Sequence, residues 1–235
     1  LRLLAQAAAV AIGLWGLPGQ GLFGDFLPAP LDLAVTAVIW LWFINLYNFM
    51  DGIDGISGVE TLVIAGGLAG VVYLFGGAAT AGLLVPALVV AAAAVGFLRW
   101  NWHPAKIFLG DVGSVPLGFL LGWLAIAAAG QDSVGGPIWT ACLILPLYYF
   151  VDATVTLLRR LARGVNIFQA HREHFYQQAV IAGRRHDQVA GAIALCGGGL
   201  WAAAWGVTAW APVAGLALAA LLVGVLIVWM RRPPR

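Results

Sequence analysis

Two carboxylates set among glycines stand where an uncharged run ends. In NLYNFMDGIDGISGVE, residues 45–60, Asp51 and Asp54 lie three apart, each followed by glycine, directly after a stretch from Leu33 to Met50 that carries no charge. Asn45 and Asn48 add amide oxygens, and four oxygen donors at a membrane boundary favour a hard cation or the phosphates it accompanies. A lone Asp-Gly is better explained as a turn; the doubled pair beside two asparagines favours a site.

A second polar string, NWHPAKIFLGDVGS, spans residues 101–114. Gly110, Gly113 and Ser114 around Asp111 would let backbone approach a phosphate, with Asp111 holding Mg2+ and Lys106 neutralising charge. Alone it is a weak signal, and a helix N-cap at Asp111 or Ser114 explains it as well. The third candidate is the polar segment 159–187, in which His171 and His174 lie three apart and would share one helical face. Zinc would need more ligands than this pair supplies. Anion recognition by His171, Arg172 and His174 is the stronger reading, while Arg159, Arg160, Arg163, Arg184 and Arg185 could equally rest on acidic lipid headgroups. Asp152 lies seven residues before Arg159, deep enough in its helix to need a partner or a role.

The elements that must position these residues are membrane helices. Of the 235 residues, 62% are hydrophobic and 9% charged, against about 25% charged in soluble domains. Apolar runs cover 3–18, 33–50, 59–76, 80–98, 114–130, 137–158, 188–207 and 212–230. Lipid satisfies no exposed backbone and no alternating barrel pattern is present, so the runs predict α-helices. The expectation is an all-α, polytopic bundle of about eight spans, read as a single domain over residues 1–235. Alternation of eight spans puts all twelve Lys and Arg on one side, and the positive-inside rule makes that side, with both termini, cytoplasmic. Cys142 and Cys196 sit inside apolar runs and read as core residues.

In this order, with spans between them, NLYNFMDGIDGISGVE, NWHPAKIFLGDVGS and QAHREHFYQQA resemble the polyprenyl-phosphate N-acetylhexosamine-1-phosphate transferases, closest to the O-antigen initiators of the WbpL type. The resemblance implies a multi-pass enzyme of the bacterial inner membrane with its site facing the cytoplasm. It would use Mg2+, with Mn2+ as an alternative, to move a sugar-1-phosphate from a UDP-N-acetylhexosamine onto undecaprenyl phosphate, releasing UMP. Membrane lipid is its other expected partner; a homo-oligomer is left open and nucleic acid is not expected. Carried over residue by residue, Asp111 is the metal ligand, Asn48, Asp51 and Asp54 line the catalytic cleft, and Asn101 and Lys106 flank it. His171, Arg172 and His174 would hold the sugar or pyrophosphate.

One departure stands out. The family carries a further paired-Asp motif just before the helix that residues 1–18 resemble, and this sequence starts after it. The expectation is a C-terminal portion of a longer enzyme, inactive by itself; a short homologue is the other reading. The rival classes are a transporter or flippase, which would place polar sites near the midplane on broken helices, and a noncatalytic scaffold.

Overall fold

The computed structural model describes residues 2–17, 21–166, 169 and 171–233. The expected break at Pro18-Gly19 and the cation Arg235 lie outside them. Helices form where the apolar runs predict, and several start on proline, whose fixed φ and missing N–H suit a first turn. They are α1 (Arg2–Trp15), α2 (Ala29–Phe49), α3 (Ile56–Phe75), α4 (Leu84–Asn101), α5 (Gly110–Ala129), α6 (Pro137–Ile144), α7 (Leu147–Ala162), α8 (Phe175–Ile181), α9 (His186–Ala202) and α10 (Pro212–Arg231). Pro30, Pro137 and Pro212 occupy the opening turns of α2, α6 and α10.

The chain is a polytopic helical membrane protein. Among the described residues six helices are long and apolar enough to cross a bilayer: α2, α3, α5 and α10, α4 with the 3-10 turn before it, and α9 with the π-turn Ala203–Val207 that continues it. The run 137–158, expected as one span, is instead broken into α6 and α7, whose axes differ by 53°. Pro146 at the break lacks an N–H, and a proline ring clashes with the preceding turn; the two pieces together fit a broken span or a re-entrant loop, which makes up to seven crossings among the described residues. The first run gives only the 14-residue α1, about 21 Å long at 1.5 Å per residue, shorter than a hydrocarbon core of about 30 Å.

α3 is the central helix, two thirds buried across its apolar window. It packs against α4 on one side and α9 on the other, while α2 packs against α1, α5 and α7. In a bilayer, where apolar contact with lipid costs nothing, such packing depends on close approach and on interhelical hydrogen bonds. Both occur between α3 and α9. The indoles of Trp201 and Trp205 donate to the carbonyls of Val63 and Gly67 at 2.7 and 3.0 Å, and Trp205 lies so near Gly70 that a Cβ there would fall 2.4 Å from its ring.

Polar tethers gather the ends that carry the cations. Arg2 of α1 reaches Asp111 of α5 and Asn48 of α2; Gly55, before α3, bonds Asn101 of α4; Arg184 reaches the carbonyls of Trp229 and Arg232. At the opposite end the Trp139 indole donates to the Leu22 carbonyl, and Asp132 accepts the N–H groups that open α6.

Candidate functional site

α2 ends at Phe49, and the chain turns back through Asp51 to Gly55 before α3 begins. Two glycines make the turn. Gly55 has φ +81°, a left-handed value that only glycine takes without strain. At Gly52 a Cβ would stand 2.2 Å from the Tyr176 hydroxyl, so no side chain fits.

One face of this turn meets the first turn of α5. Asn48 donates to the Asp111 carboxylate and to the Ser114 hydroxyl, both at 2.8 Å, and Ser114 donates to the Gly110 carbonyl at 3.0 Å. Arg2 donates to Asp111 Oδ2 at 2.9 Å and also to Asn48 Oδ1. Neither Asp111 nor Ser114 caps α5; both turn sideways toward Asn48, so the bland reading of this string does not hold. Asp51 accepts the Ser57 hydroxyl at 2.7 Å and the Gly110 N–H, which sets it beside Asp111. Asn48, Asp51 and Asp111 therefore converge.

Asp54 does not join them. Its Oδ2 lies 2.6 Å from His103 Nδ1 and 3.3 Å from His186 Nδ1, and accepts the Ala105 N–H at 3.2 Å. Asn101, expected to touch substrate, is buried, with both amide atoms bonded to backbone. Its oxygen accepts from Gly55 N–H at 2.9 Å, and its nitrogen donates to the Ile107 carbonyl at 2.8 Å. It fastens the 51–55 turn to the 102–109 loop. Lys106 lies over the Trp100 ring, 5.6 Å from its centroid.

The third string is docked on the first by Tyr176, whose hydroxyl donates to the Phe49 carbonyl at 3.1 Å. His171 and His174 do not share a helical face, because α8 starts only at Phe175. Their rings nevertheless pack 5.0 Å apart. His174 is buried, its Nδ1 3.1 Å from Asp152 Oδ1. The same buried carboxylate accepts the N–H groups of Phe175 and Tyr176 at 3.0 and 3.3 Å and the Tyr148 hydroxyl at 3.1 Å. Asp152 thus resolves as an anchor for this segment. His171 is half-buried and Arg172 exposed.

A family model described as glycosyl transferase family 4 matches residues 1–129, more than half of the chain. The chain belongs to glycosyl transferase family 4. The match takes in the first two polar strings, while the third lies beyond it. A probable undecaprenyl-phosphate N-acetylglucosaminyl 1-phosphate transferase of Bacillus subtilis is 30% identical over 189 residues, covering 78% of this chain and 52% of the relative. A phospho-N-acetylmuramoyl-pentapeptide-transferase of Enterococcus hirae is 37% identical over 145 residues, 60% of this chain and 42% of the relative. A decaprenyl-phosphate N-acetylglucosaminephosphotransferase of Mycobacterium tuberculosis is 27% identical over 210 residues, covering 80% and 51%. The chain spans about half the length of these curated relatives.

In this family 4 chain the electrostatics of the two aspartates diverge. Burial raises the Asp51 carboxyl above its ordinary value, only partly offset by the Ser57 hydroxyl and the Gly110 N–H, with Asp111 adding repulsion. Burial would also raise Asp54, but hydrogen bonds from His103, the Ala105 N–H and His186 outweigh it and hold Asp54 below the carboxylate range. His171 is lowered by burial first, then by His174 and Arg160. Glu173 is lowered chiefly by Arg163, with Arg160 adding to it; together they form a clasp at the root of the loop.

Sequence reasoning missed several residues. Arg2 counts in the sequence only as a cation setting orientation, although it is the one charged residue of α1. His103, inside the second string, His186, at the end of the 159–187 segment, and Ser57 and Tyr176, inside the first and third strings, are not singled out by the sequence. Asp111 is largely exposed, with the Asn48 amide nitrogen and the Arg2 guanidinium on it, the Asn48 oxygen turned to Arg2, and the Asp51 carboxylate and Ser114 hydroxyl nearby, so that the ligands this end offers a cation are carboxylate and hydroxyl oxygens. That set fits Mg2+, which keeps several waters and uses one or two carboxylates.

Proposed function

We propose that this chain forms part of an enzyme that transfers an N-acetylhexosamine-1-phosphate from a UDP-sugar to a polyprenyl phosphate, undecaprenyl phosphate in a bacterial inner membrane. The observation that carries the reading is where the oxygen cluster sits. An apolar groove of about 490 Å³ between α1, α2 and α7, lined by Leu3, Leu41, Trp42, Phe49 and Leu157, also takes in Gln6, Asn45 and Arg2. Arg2 is the residue bound to Asp111 and Asn48. A prenyl chain can lie in this groove with its phosphate against the guanidinium, so tail and headgroup find matching surfaces in one place.

An oxygen of the acceptor phosphate attacks the β-phosphorus of the donor. A new P–O bond forms, the α–β anhydride bond breaks, and UMP leaves. The acceptor already carries its nucleophilic oxygen, so the protein's work is to hold two anions in line and to offset their charge. Arg2 binds the acceptor phosphate, Asn48 orients Asp111, and Asp51 is placed to accept a proton from a monoprotonated acceptor. Asp111, with the Asp51 carboxylate beside it, would hold Mg2+, which when bound neutralises charge on phosphoryl oxygens. His171 and Arg172 precede α8, whose Tyr176 meets the turn, and would contact the sugar or diphosphate. His174 supports them from its buried position.

The relatives named above support the transferase class. The WbpL-type resemblance extends the reading to initiation of O-antigen or another envelope polysaccharide, with the site on the cytoplasmic side by the positive-inside rule, since eight alternating spans would collect all twelve Lys and Arg on one side. The break between α6 and α7, a feature that transporters use for substrate sites, is lined here by Trp40, Phe43, Pro146 and Phe150, which offers a charged substrate nothing. The test is to incubate the complete gene product with undecaprenyl phosphate and a panel of UDP-sugars, with and without Mg2+. Release of UMP that depends on both substrates and on Mg2+ is expected; release of UDP would assign a different reaction.

A further inference from the structure

Asp54, His103 and His186 come from three separate segments: the 51–55 turn, the 102–109 loop and the first residue of α9. One ligand atom from each lies within 4.8 Å of the others. A tetrahedral ion with bonds of about 2.0–2.1 Å holds its ligand atoms roughly 3.3 Å apart. His186 Nδ1 already stands 3.3 Å from Asp54 Oδ2. His103 Nδ1, at 2.6 Å, sits at hydrogen-bond distance and needs to open by roughly 0.7 Å to reach that spacing.

Both imidazoles turn Nδ1 toward the same carboxylate oxygen, His103 at 2.6 Å and His186 at 3.3 Å. The three ligand atoms lie within reach of one ion, which would take the two Nδ1 lone pairs in place of the protons that now join the rings to Asp54.

We propose that Asp54, His103 and His186 form a binding site for a first-row transition metal of the Zn2+ class, separate from the oxygen cluster at Asp111. Two imidazole nitrogens and one carboxylate select Zn2+, Co2+ or Mn2+ over Mg2+, which takes oxygen ligands in octahedral geometry. The side chains of Asp54, His103 and His186 are 13%, 34% and 31% exposed, so a fourth position opens to solvent for water or a ligand. Backbone holds the carboxylate in place through the Ala105 N–H at 3.2 Å, and the Gly55 to Asn101 bond holds the turn. Bound there, the ion pins three loops of one face to each other. This site does not depend on the sugar-phosphate reading.

The test is titration of the purified, metal-stripped protein with Co2+ in excess Mg2+, followed by visible absorption and isothermal calorimetry. One Co2+ per chain is expected, with the intense absorption of a tetrahedral nitrogen and oxygen site, displaced by Zn2+ and indifferent to Mg2+. His103→Ala and His186→Gln are each expected to weaken binding by about 10- to 100-fold, while Asp111→Asn leaves it unchanged. Each variant is first checked by size-exclusion chromatography, and two independent histidine changes guard against one that fails to fold. Binding that survives both histidine substitutions, competition by Mg2+, or absence of stoichiometric Co2+ uptake would overturn the site and leave a hydrogen-bonded triad.

Discussion

Asp51 and Asp54 stand three residues apart and end in opposite electrostatic settings, one pressed by burial toward holding a proton, the other kept charged by two histidines and an amide. Divergent environments of this kind separate roles among like residues. Asp51→Asn is therefore expected to depress turnover with a changed pH profile, whereas Asp54→Asn should loosen the loops that His103 and His186 hold. Steady-state rates across pH, compared with thermal unfolding in detergent, separate the two. Asn101→Ala leaves the Gly55 N–H and the Ile107 carbonyl unpaired in a buried place, a cost of about 1–3 kcal/mol. A lower melting temperature with unchanged substrate KM is the expected result; a raised KM with no change in melting would return Asn101 to the substrate. Glu173 gives a pH window. Its folded pKa is depressed by Arg163 and Arg160, so its clasp contributes fully above the ordinary glutamate value of about 4.3 and is lost as pH falls through the lower folded value. Limited proteolysis of the 163–175 segment should accelerate in that acid window, and Glu173→Gln should show the faster cleavage already at neutral pH.

At the scale of elements, the helices were legible and their joints were not. Long uncharged runs dictate helix in lipid whatever their neighbours, so the runs around α2, α3, α5, α9 and α10 could be read directly. The bend at Pro146 was missed because an apolar run on both sides of a single proline looks continuous. The convergence of Asn48, Asp51 and Asp111 was legible because each stands at the end of a run that must return to the same face. The departure of Asp54 was not, since nothing in Asp-Gly-Ile-Asp-Gly says which way the second carboxylate turns once Gly55 adopts a positive φ. The docking of the third string likewise depends on one buried carboxylate, Asp152, ten residues before the end of α7. Asp152→Ala removes the acceptor for two backbone N–H groups, the Tyr148 hydroxyl and His174, and is expected to cost about 3 kcal/mol. Hydrogen exchange should rise through residues 171–179 first; uniform exchange across the bundle would mean that Asp152 supports the whole fold instead.

At the scale of the molecule, charge asymmetry and the groove tell one story: an oxygen-rich cluster with its own arginine at the basic end, opening sideways onto surface that a hydrocarbon chain can occupy. The most direct measurement supplies the complete gene product with undecaprenyl phosphate, Mg2+ and UDP-N-acetylglucosamine labelled on its β-phosphorus. Transfer of sugar-phosphate moves the label into the lipid phase and leaves unlabelled UMP, and Asp111→Asn should cut that transfer by about 100-fold or more. Label that stays in water as UDP while sugar enters the lipid, or transfer that continues unchanged in Asp111→Asn, would contradict the account.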